Sequence, residues 1–408
     1  MKNILIINQY ASTPDIGFSG RHYYLSEALS RLGYNVTLVI GGYTHLQRNP
    51  PPLTKSNLHT VNNNFSIFYL KLPRYKSPKS FQRVVNWFIF SIKAVYFCSK
   101  LKPKFDFVIS SSPSLLPLIS GYALSKYLSC KFIVDIRDIW PLTLLELGGY
   151  SKFHPFIIFN KMIERFSYKS SDAIISSIPG FPKYLDLYFP KIQIPFYYMP
   201  NGISSDEFST PSPTSLNSSI DFPDIPSGNL IIGYVGTVGL ANSLDVLLEA
   251  ALSLIENNIS IVIYGDGGHK TILTDKYEFL PNVYFRPSIS KILVPDLLRC
   301  FDLLYLGWKP SKLYQFGISP QKAAEYMFSS KPILHSYSGS FDFVKKINCG
   351  FSVPADSPIC LVEIIKYIKG LPSSELVLLG RNGFAYAHSN LMYTKIARDF
   401  SYNFLDKI

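Results

Sequence analysis

Cysteine and the common metal-binding motifs are scarce in this sequence. The 408 residues include five cysteines, an odd number with no pair at CxxC spacing. They are Cys98, Cys130, Cys300, Cys349 and Cys360. This scatter indicates neither a disulfide framework nor a zinc site, and it fits a reducing, cytoplasmic setting best. The sequence has no HExxH, EF-hand or GxSxG motif, and no DxD motif at an expected site. It therefore offers no basis for metal catalysis or acyl transfer.

Long apolar runs are equally rare. The N-terminal stretch MKNILIINQY is too short, and too soon interrupted, for a secretory signal. Residues 107–125 (FVISSSPSLLPLISGYALS) carry no charge over 19 positions, a length that could span a bilayer. Because this run contains several serines and two prolines, we favour a strand that ends near SSSP and is followed by a helix.

Acidic residues are missing from a long part of the N-terminal half. Between Glu27 and Asp106 there are 12 Lys and Arg and no Asp or Glu. Residues 1–200 hold 23 basic and nine acidic side chains, whereas residues 201–408 hold 17 and 19. Aromatic residues are mixed into the basic block, and no helix–turn–helix, RRM or zinc finger is recognisable. This mixture favours an anionic membrane surface over nucleic acid as the partner, with a plain solvated basic face as the alternative.

What the chain does contain is two similar halves. Residues 3–40 read as an apolar strand (NILII), a loop, a helix (RHYYLSEALSR) that ends before Gly33, and a second strand (NVTLVI). The same order returns from residue 229 with NLIIGYVG, a glycine loop, SLDVLLEAALSLIENN and ISIVIYGDG. A stretch rich in Ser, Pro and Asp lies between the halves, from residue 203 to 228. The pattern predicts two doubly wound α/β domains, whose ligands bind at the carboxyl ends of parallel strands.

Two glycine turns follow strands in the C-terminal half. Gly236, Thr237 and Gly239 lie between a strand and a helix, and Gly265 and Gly267 follow the next strand. Glycines there let the backbone approach a ligand, and the helix start favours an anion. Neither turn is a GxGxxG or P-loop motif, so a turn that binds nothing is an equally good interpretation of either one alone.

The stretch GISPQKAAEYMFSSKPIL, residues 317–334, predicts a loop, a carefully started helix and a strand. We expect Ser319 to be the N-cap and Pro320 the first helical residue. The amides of Gln321 and Lys322 would then face an anion such as a diphosphate, and Lys322 would add a positive charge. Glu325 shares a face with Lys322 and would reach the ribose hydroxyls of a nucleotide. The alternative is an ordinary capped helix with a surface Lys–Glu pair.

A polar pair follows a strand in the N-terminal half. In FIVDIRDIWP, Arg137 and Asp138 come at the strand end, where Arg137 could bind a phosphate and Asp138 could act as a base or bind hydroxyls. His22 follows the first loop and could reach the same place. An internal ion pair and a structural histidine are the alternatives for these residues.

The order of these motifs resembles bacterial glycosyltransferase family 4, which has the GT-B fold. The similar segments are GFSGRHYYLSEALSRLGYNVTLV, DIRDIWP, MPNGISSDEF, GYVGTVGLANSLDVLLEAA, IYGDG and GISPQKAAEYMFSSKPIL. DIRDIWP is similar to a DxRDxWP motif of a subgroup that builds O-antigen and capsule repeat units, such as transferases of the L-fucosamine type. The resemblance implies two facing Rossmann-like domains with an inter-domain cleft. The domains would be 1–203 for the acceptor and 204–390 for the donor, with a helix in 391–408 crossing back.

The resemblance also implies a function. A retaining enzyme would transfer a hexosyl or N-acetylhexosaminyl group from a nucleotide diphosphate sugar, most simply a UDP-sugar, without a metal. Gly236, Thr237, Gly239, Gly265, Gly267, Ser319, Gln321, Lys322 and Glu325 would bind the donor. Gly20, Arg21, His22, Arg137 and Asp138 would bind the acceptor, with Asp138 and Lys322 catalytic. The acceptor would be a lipid-linked saccharide at the inner face of the cell membrane.

The sequence departs from the family pattern at three positions. Many members carry a Glu pair spaced E-x7-E, of which Glu325 matches the second, whereas Gly317 stands at the first. Thr237 and Asn242 stand where many members have Arg and Lys. These departures keep open a subunit that binds a sugar nucleotide or lipid without catalysis. The other alternative is a sugar-nucleotide 2-epimerase of the same fold, and the basic aromatic block counts against it because an epimerase needs no acceptor site.

Overall fold

The computed structural model describes residues 1–17, 20–75, 77, 80–102, 104–205, 222 and 224–408. The chain forms two compact units, Met1–Gly202 with Tyr393–Ile408, and Ile203–Met392. Most of the predicted linker, residues 206–221 and 223, lies outside the described residues.

The first unit is a mixed sheet covered by helices. Its strands are β1 (Asn3–Ile7), β2 (Asn35–Gly41), β3 (Asn57–Asn62), β4 (Phe65–Leu70), β5 (Phe107–Ser111), β6 (Lys131–Ile136), β7 (Ala173–Ser176) and β8 (Phe196–Tyr198). Its helices are α1 (Arg21–Arg31), α2 (Phe81–Cys98), α3 (Leu116–Leu128), α4 (Leu142–Glu146), α5 (Pro155–Ser170), α6 (Phe181–Tyr188) and, numbered last in the chain, α14 (Tyr393–Phe400). The strand order is β3-β4-β2-β1-β5-β6-β7-β8, and only β3 runs antiparallel to its neighbour.

The uncharged run at 107–125 forms β5 and most of α3, so the strand–helix interpretation is confirmed. In the described part of the chain, no helix is long and apolar enough to cross a membrane. The strand is wholly buried, which explains why it lacks charge.

The C-terminal segment belongs to the first unit. Helix α14 packs its buried face, including Ile396 and Phe400, into the same apolar cluster as α1 and the sheet. The Tyr393 ring stacks on Tyr24 of α1 with centroids 5.7 Å apart. The Tyr34 hydroxyl lies 2.6 Å from the Ser401 hydroxyl. These contacts attach the end of the chain to the N-terminal helix.

The second unit is an all-parallel sheet between two helical layers. Its strands are β9 (Leu230–Val235), β10 (Ile259–Tyr264), β11 (Val283–Arg286), β12 (Leu303–Gly307), β13 (Ile333–Ser336) and β14 (Gly350–Val353). Its helices are α7 (Leu244–Leu252), α8 (Lys270–Tyr277), α9 (Val294–Arg299), α10 (Gln321–Phe328), α11 (Phe343–Ile347), α12 (Pro358–Lys369) and α13 (Ser373–Asn390). One buried cluster packs α7 and α12 against the sheet, and another packs α9, α10 and α11.

The strand order of the second unit is β11-β10-β9-β12-β13-β14. The chain leaves β9 toward β10 on one side and later returns to place β12 on the other side. In such sheets a crevice opens at the carboxyl ends of the two strands where the order reverses. The prediction of two Rossmann-like α/β domains is confirmed, and their predicted facing arrangement and cleft stay predictions.

Candidate functional site

The carboxyl ends of β9 and β10 carry the two predicted glycine turns, and these turns contact each other. Val238 donates its amide to the Asp266 carbonyl at 3.0 Å, and Gly236 donates to the Tyr264 carbonyl at 2.9 Å. Helix α10, which follows β12 in the chain, begins beside the first turn. The crevice of the second unit therefore collects the predicted donor-binding segments.

Two of these glycines are required by their surroundings. Gly236 has a φ of +141°, and a Cβ there would lie 2.4 Å from Cε of Lys322. Gly265 has a φ of +149°, and a Cβ there would lie 1.8 Å from the Gly236 carbonyl oxygen. Both positions combine an unusual backbone conformation with a close approach, which only glycine accommodates. Gly267 likewise approaches the carbonyl of Val238, whereas Gly239 is extended and has ordinary contacts.

The start of α10 differs from the prediction. The helix begins at Gln321, and its N-cap is Pro320 with φ −74° and ψ 137°, so Ser319 precedes the cap. No side chain caps this end. The predicted cap at Ser319 was therefore wrong, because Pro320 takes an extended conformation and the helix starts one residue later. The first amides of an α-helix have no acceptor in the preceding turn, which keeps this end suited to an anion.

The Lys322 side chain turns back over the first glycine turn. Its amine donates to the hydroxyl of Tyr234 and, at 3.3 Å, to Oδ1 of Asn242. Nζ lies 4.1 Å from the centre of the Tyr234 ring. Burial lowers the pKa of Lys322 from 10.5 to about 7, against the opposing effect of the Glu325 carboxylate. The amine is thus close to half-protonated near neutral pH.

The carbonyl of Thr237 joins this network. It accepts from the Tyr234 hydroxyl at 2.6 Å and from Nδ2 of Asn242 at 3.0 Å, while the Thr237 side chain is exposed. The Lys322 amine lies at this same turn, where it donates to Asn242. Tyr234 was missed by the sequence analysis, because its position inside an apolar strand marked it only as core.

Glu325 is buried and forms an ion pair one turn into α10. The amine of Lys291 donates to its Oε1 atom. Lys291 lies in the segment after β11, 34 residues before its partner, and no local pattern pointed to it. A buried carboxylate needs such a partner to stay charged. The surface Lys322–Glu325 pair of the alternative interpretation does not form, because Glu325 pairs with Lys291 and Lys322 turns to the glycine turn.

A second lysine holds the turn after β10. Nζ of Lys270 donates to the carbonyls of Gly265 at 2.7 Å and Arg286 at 2.9 Å, and to Asp266 at 3.1 Å. These bonds tie the ends of β10 and β11 to the start of α8. The Lys270 amine therefore holds the shape of the Gly265–Gly267 turn.

In the first unit, three of the predicted acceptor residues, Arg21, His22 and Arg137, share a polar network through Asn201 and Asp135. Gly20 is the N-cap of α1, without a side-chain cap. The Arg21 guanidinium is buried, donating to the carbonyls of Met199 at 2.9 Å and Pro200 at 2.5 Å and to Asn201 at 3.1 Å. These bonds hold the segment after β8 in place, so the observed contacts of Arg21 are structural. Its role in binding the acceptor stays a prediction.

His22 pairs with a carboxylate that the sequence analysis passed over. Its Nε2 atom lies 3.1 Å from Oδ2 of Asp135 and 3.1 Å from the Ser111 hydroxyl, which itself donates to Asp135 at 2.7 Å. All three side chains are buried. Burial lowers the pKa of His22, whereas the His22 hydrogen bond and the charges of Arg21 and Arg137 hold the pKa of Asp135 below its usual value despite burial.

Arg137 and Asp138 follow β6 as predicted. Nη2 of Arg137 donates to Asn201 at 3.3 Å, and burial lowers the pKa of Arg137 to about 10. Asp138 accepts from the Thr143 hydroxyl at 2.5 Å and from the Trp140 indole N–H at 3.0 Å. Burial raises the pKa of Asp138, with these hydrogen bonds opposing the shift. A raised pKa suits a proton acceptor, although both oxygens already accept bonds within the protein.

Each unit thus has its own cluster of predicted residues, and each cluster is organised around buried charge. In the described residues there is no group of three or more His, Cys, Asp or Glu side chains that could hold a metal ion. The residues that the sequence analysis missed are Tyr234, Lys270, Lys291, Ser111 and Asp135. Tyr234, Lys291, Ser111 and Asp135 contact predicted residues that lie far from them in the chain, whereas Lys270 is only five residues from its partner Gly265.

Comparison with solved structures identifies the fold. Sucrose-phosphate synthase from Thermosynechococcus elongatus superposes with a TM-score of 0.77 at 16% identity, covering 100% of this chain and 99% of that one. HepE from Anabaena, solved with UDP and glucose, gives 0.64 at 13% identity with both chains covered in full. WaaG, a glycosyltransferase involved in lipopolysaccharide biosynthesis, gives 0.65 at 14% identity, covering 97% and 98%. Sequence comparison gave no match to a protein-family model and none among curated proteins.

These similarities place the chain in the GT-B fold class, with two parallel-sheet Rossmann-like units. At identities between 13% and 16% they establish the architecture and leave the activity to be argued from the site.

Proposed function

We propose that this protein is a glycosyltransferase that moves a sugar from a nucleotide diphosphate sugar to an acceptor hydroxyl. The observation that carries the proposal is the position of Lys322. Its amine sits between a glycine turn and a helix start, at the crevice where strand order reverses. This is a place where phosphate groups bind in doubly wound sheets.

The site would bind the donor through its charge. The start of α10 and the Lys322 amine are both attracted to the diphosphate, and Glu325 lies one turn further along for the ribose hydroxyls. Binding of a dianion would draw a proton onto Lys322, whose pKa of about 7 makes both charge states accessible. The UDP complex of HepE, a structure with the same fold, supports UDP as the first nucleotide to test.

The same groups would assist departure of the nucleotide. Negative charge grows on the β-phosphate as the bond to the anomeric carbon breaks. Fixed amides and a protonated Lys322 would stabilise that charge without needing to reorganise. On this proposal the enzyme retains anomeric configuration and needs no metal. The acceptor proton would pass to the leaving phosphate or to Asp138.

The acceptor would bind to the basic first unit. We propose a lipid-linked saccharide of a bacterial surface polysaccharide, O-antigen or capsule, made at the inner face of the membrane. The charge split between residues 1–200 and 201–408 supports this assignment, as does the fold likeness to a lipopolysaccharide glycosyltransferase. Membership of the family 4 subgroup with DIRDIWP, which includes the L-fucosamine type, is part of the same proposal.

A donor panel tests the proposal directly. Binding of UDP-, GDP- and dTDP-sugars to the purified protein would be measured by calorimetry and thermal shift, for wild type, Lys322→Met and Glu325→Gln. We expect one nucleotide to bind, and each substitution to weaken it by at least about tenfold, as loss of a charged hydrogen bond does. Lys346→Met, at an exposed lysine of α11, is the matched control and should bind like wild type.

A transfer assay with the donor so identified, using membrane extract as acceptor source, tests the chemistry. Radiolabel in the lipid fraction that depends on Lys322 would support the transferase. Interconversion of the donor sugar without an acceptor would instead indicate the epimerase. Binding without either reaction would indicate the non-catalytic subunit.

A further inference from the structure

Helices α2, α3 and α5 expose an unusual amount of apolar surface on the first unit. On α2, exposed apolar side chains recur at helical spacing and form one stripe: Phe81, Val85, Phe88, Ile92 and Tyr96. On α5 a second stripe consists of Ile158, Phe159, Met162 and Phe166. Monomeric proteins usually expose such residues singly, so two aligned stripes indicate a surface that something covers.

The two stripes meet at one pair of rings, Phe88 and Phe159. The rings of Phe88 and Phe159 stack with centroids 6.4 Å apart, and Trp87 stacks on Phe156 at 5.9 Å. Between the helices runs a groove of about 300 Å³. Its main lining residues are Trp87, Phe88, Leu115, Leu116, Phe156 and Phe159.

The charge of this surface has one sign. Exposed Lys161, Arg165 and Lys169 follow the α5 stripe at intervals of one turn. All residues of α2, α3 and α5 are among those described, and their only carboxylate is Glu164, which is buried. Lys100 lies over the Tyr96 ring, with Nζ 3.6 Å from its centre, so a cation also accompanies the α2 stripe.

The polar groups in the groove wall are already used. Nδ2 of Asn160 donates to the Phe156 carbonyl at 2.7 Å, and the Trp87 indole N–H donates to the Tyr10 hydroxyl at 2.6 Å. A peptide in the groove would find few partners for its backbone groups, at a cost in free energy. A second copy of the chain would bring two cationic faces together. A hydrocarbon chain beside an anionic head group satisfies both the apolar groove and the cations.

We propose that this face of α2, α3 and α5 docks on an anionic lipid bilayer. The apolar stripes would enter the interface between head groups and chains, and the cations would pair with lipid phosphates. This inference deepens the membrane-bound acceptor of the proposed function. The expectation of a membrane surface from the sequence used the basic stretch between Glu27 and Asp106. Half of the docking face proposed here comes from α5, which lies outside that stretch.

Vesicle co-sedimentation tests the docking face with the full chain. The vesicles are phosphatidylcholine with or without phosphatidylglycerol. We expect binding to the anionic vesicles that weakens with added salt, and little binding to the neutral ones. The triple variant Lys161→Gln, Arg165→Gln, Lys169→Gln should lower the partition coefficient about a hundredfold, since each surface cation is worth about a factor of five. The control triple Lys345→Gln, Lys346→Gln, Lys366→Gln changes exposed lysines of the second unit and should bind like wild type.

A second variant pair tests the apolar part. Ile92 and Met162 are 68% and 66% exposed, so Ile92→Ser with Met162→Ser should fold normally yet lower vesicle binding about tenfold. Ile272→Ser with Ile359→Ser is the control on exposed positions of the second unit. Thermal midpoints equal to wild type verify that all variants are folded.

Three results would overturn the docking proposal. The first is the absence of binding to anionic vesicles at low salt. The second is undiminished vesicle binding by both the Lys161/Arg165/Lys169 triple variant and the Ile92/Met162 double variant. The third is a lipid-free dimer in sedimentation velocity that these two variants abolish. Nucleotide-sugar binding by the same variants separates this question from the proposed function. A variant that binds the donor normally but no longer binds vesicles supports the docking proposal. Vesicle binding by a protein that binds no nucleotide sugar counts only against the proposed enzyme function.

Discussion

At the scale of single residues, the lowered pKa of Lys322 predicts that binding of the proposed donor depends on pH. Free protein holds this amine with a pKa of about 7, and a bound diphosphate would raise that value. Affinity for the nucleotide sugar should therefore be highest below pH 7. It should fall by up to about tenfold per pH unit above it, until the pH reaches the pKa of the complex. The Lys322→Met variant should bind weakly with a flat profile.

Calorimetry in two buffers of different ionisation enthalpy measures the linked proton. At pH 8 the wild type should take up a fraction of a proton on binding, and Lys322→Met should take up none. Equal uptake by the two proteins would show that Lys322 does not face the diphosphate.

A pair of glycines offers a second residue-scale prediction. Gly236→Ala places a Cβ 2.4 Å from Cε of Lys322, so the lysine side chain must move. The φ of +141° adds a backbone strain on the order of 1–3 kcal/mol, which that movement does not relieve. Donor affinity should drop at least about tenfold. Gly239→Ala, three residues away with φ −130° and its nearest non-neighbouring atom at 3.6 Å, should bind like wild type. The prediction fails if titration gives the two variants the same dissociation constant.

At the scale of elements, helix α5 carries a buried carboxyl on the face opposite its apolar stripe. Burial raises the pKa of Glu164 from 4.5 to about 8, although the Tyr184 hydroxyl donates to it at 2.7 Å. The folded protein thus holds a proton that the unfolded chain releases. This contribution to stability is complete below pH 4.5 and is lost as the pH rises to about 8.

Glu164→Gln should therefore gain stability relative to wild type as the pH rises through this window, on the order of 1.4 kcal/mol for each pH unit. Urea unfolding at pH 5.5 and pH 8.5 measures the difference. Glu146→Gln, at an exposed position of the first unit, is the control and should show no such trend. A Glu164→Gln effect that is the same at both pH values would mean that the carboxyl is charged in the folded state.

The elements were largely predictable, and the side-chain partnerships were not. Strands such as β1 and β9 are continuous apolar runs, and helices such as α1 show apolar residues at helical spacing, so local pattern was enough. The glycine turns were found for the same reason. By contrast, the Lys291–Glu325 and His22–Asp135 pairs join elements that meet only through the strand order. The cap at Ser319 was misplaced because Pro320 takes an extended conformation, so the helix begins one residue later than the usual position of proline in the first turn indicates.

At the scale of the whole molecule, the two units have separate apolar cores and separate tasks in the proposal. The cluster around β1 and α14 contains residues of the first unit alone, and those around β9 and β12 contain residues of the second. Chains with two cores commonly unfold in more than one step. A ligand stabilises only the unit that binds it, by about 2.7 kcal/mol at about 100 times its dissociation constant.

Calorimetric scans should accordingly show two transitions, and a nucleotide sugar should raise the temperature of one of them. The tryptophans identify which one, because Trp87 and Trp140 belong to the first unit and Trp308 to the second. In a Trp308→Phe variant, fluorescence reports on the first unit alone. Its melting temperature should stay constant while calorimetry of the same sample still shows the donor-dependent shift. If calorimetry shows two transitions and the fluorescence transition shifts with the donor, the donor is held by the first unit, and the assignment of the nucleotide to the crevice at β9 and β12 is wrong. A single transition would show that the two units unfold together.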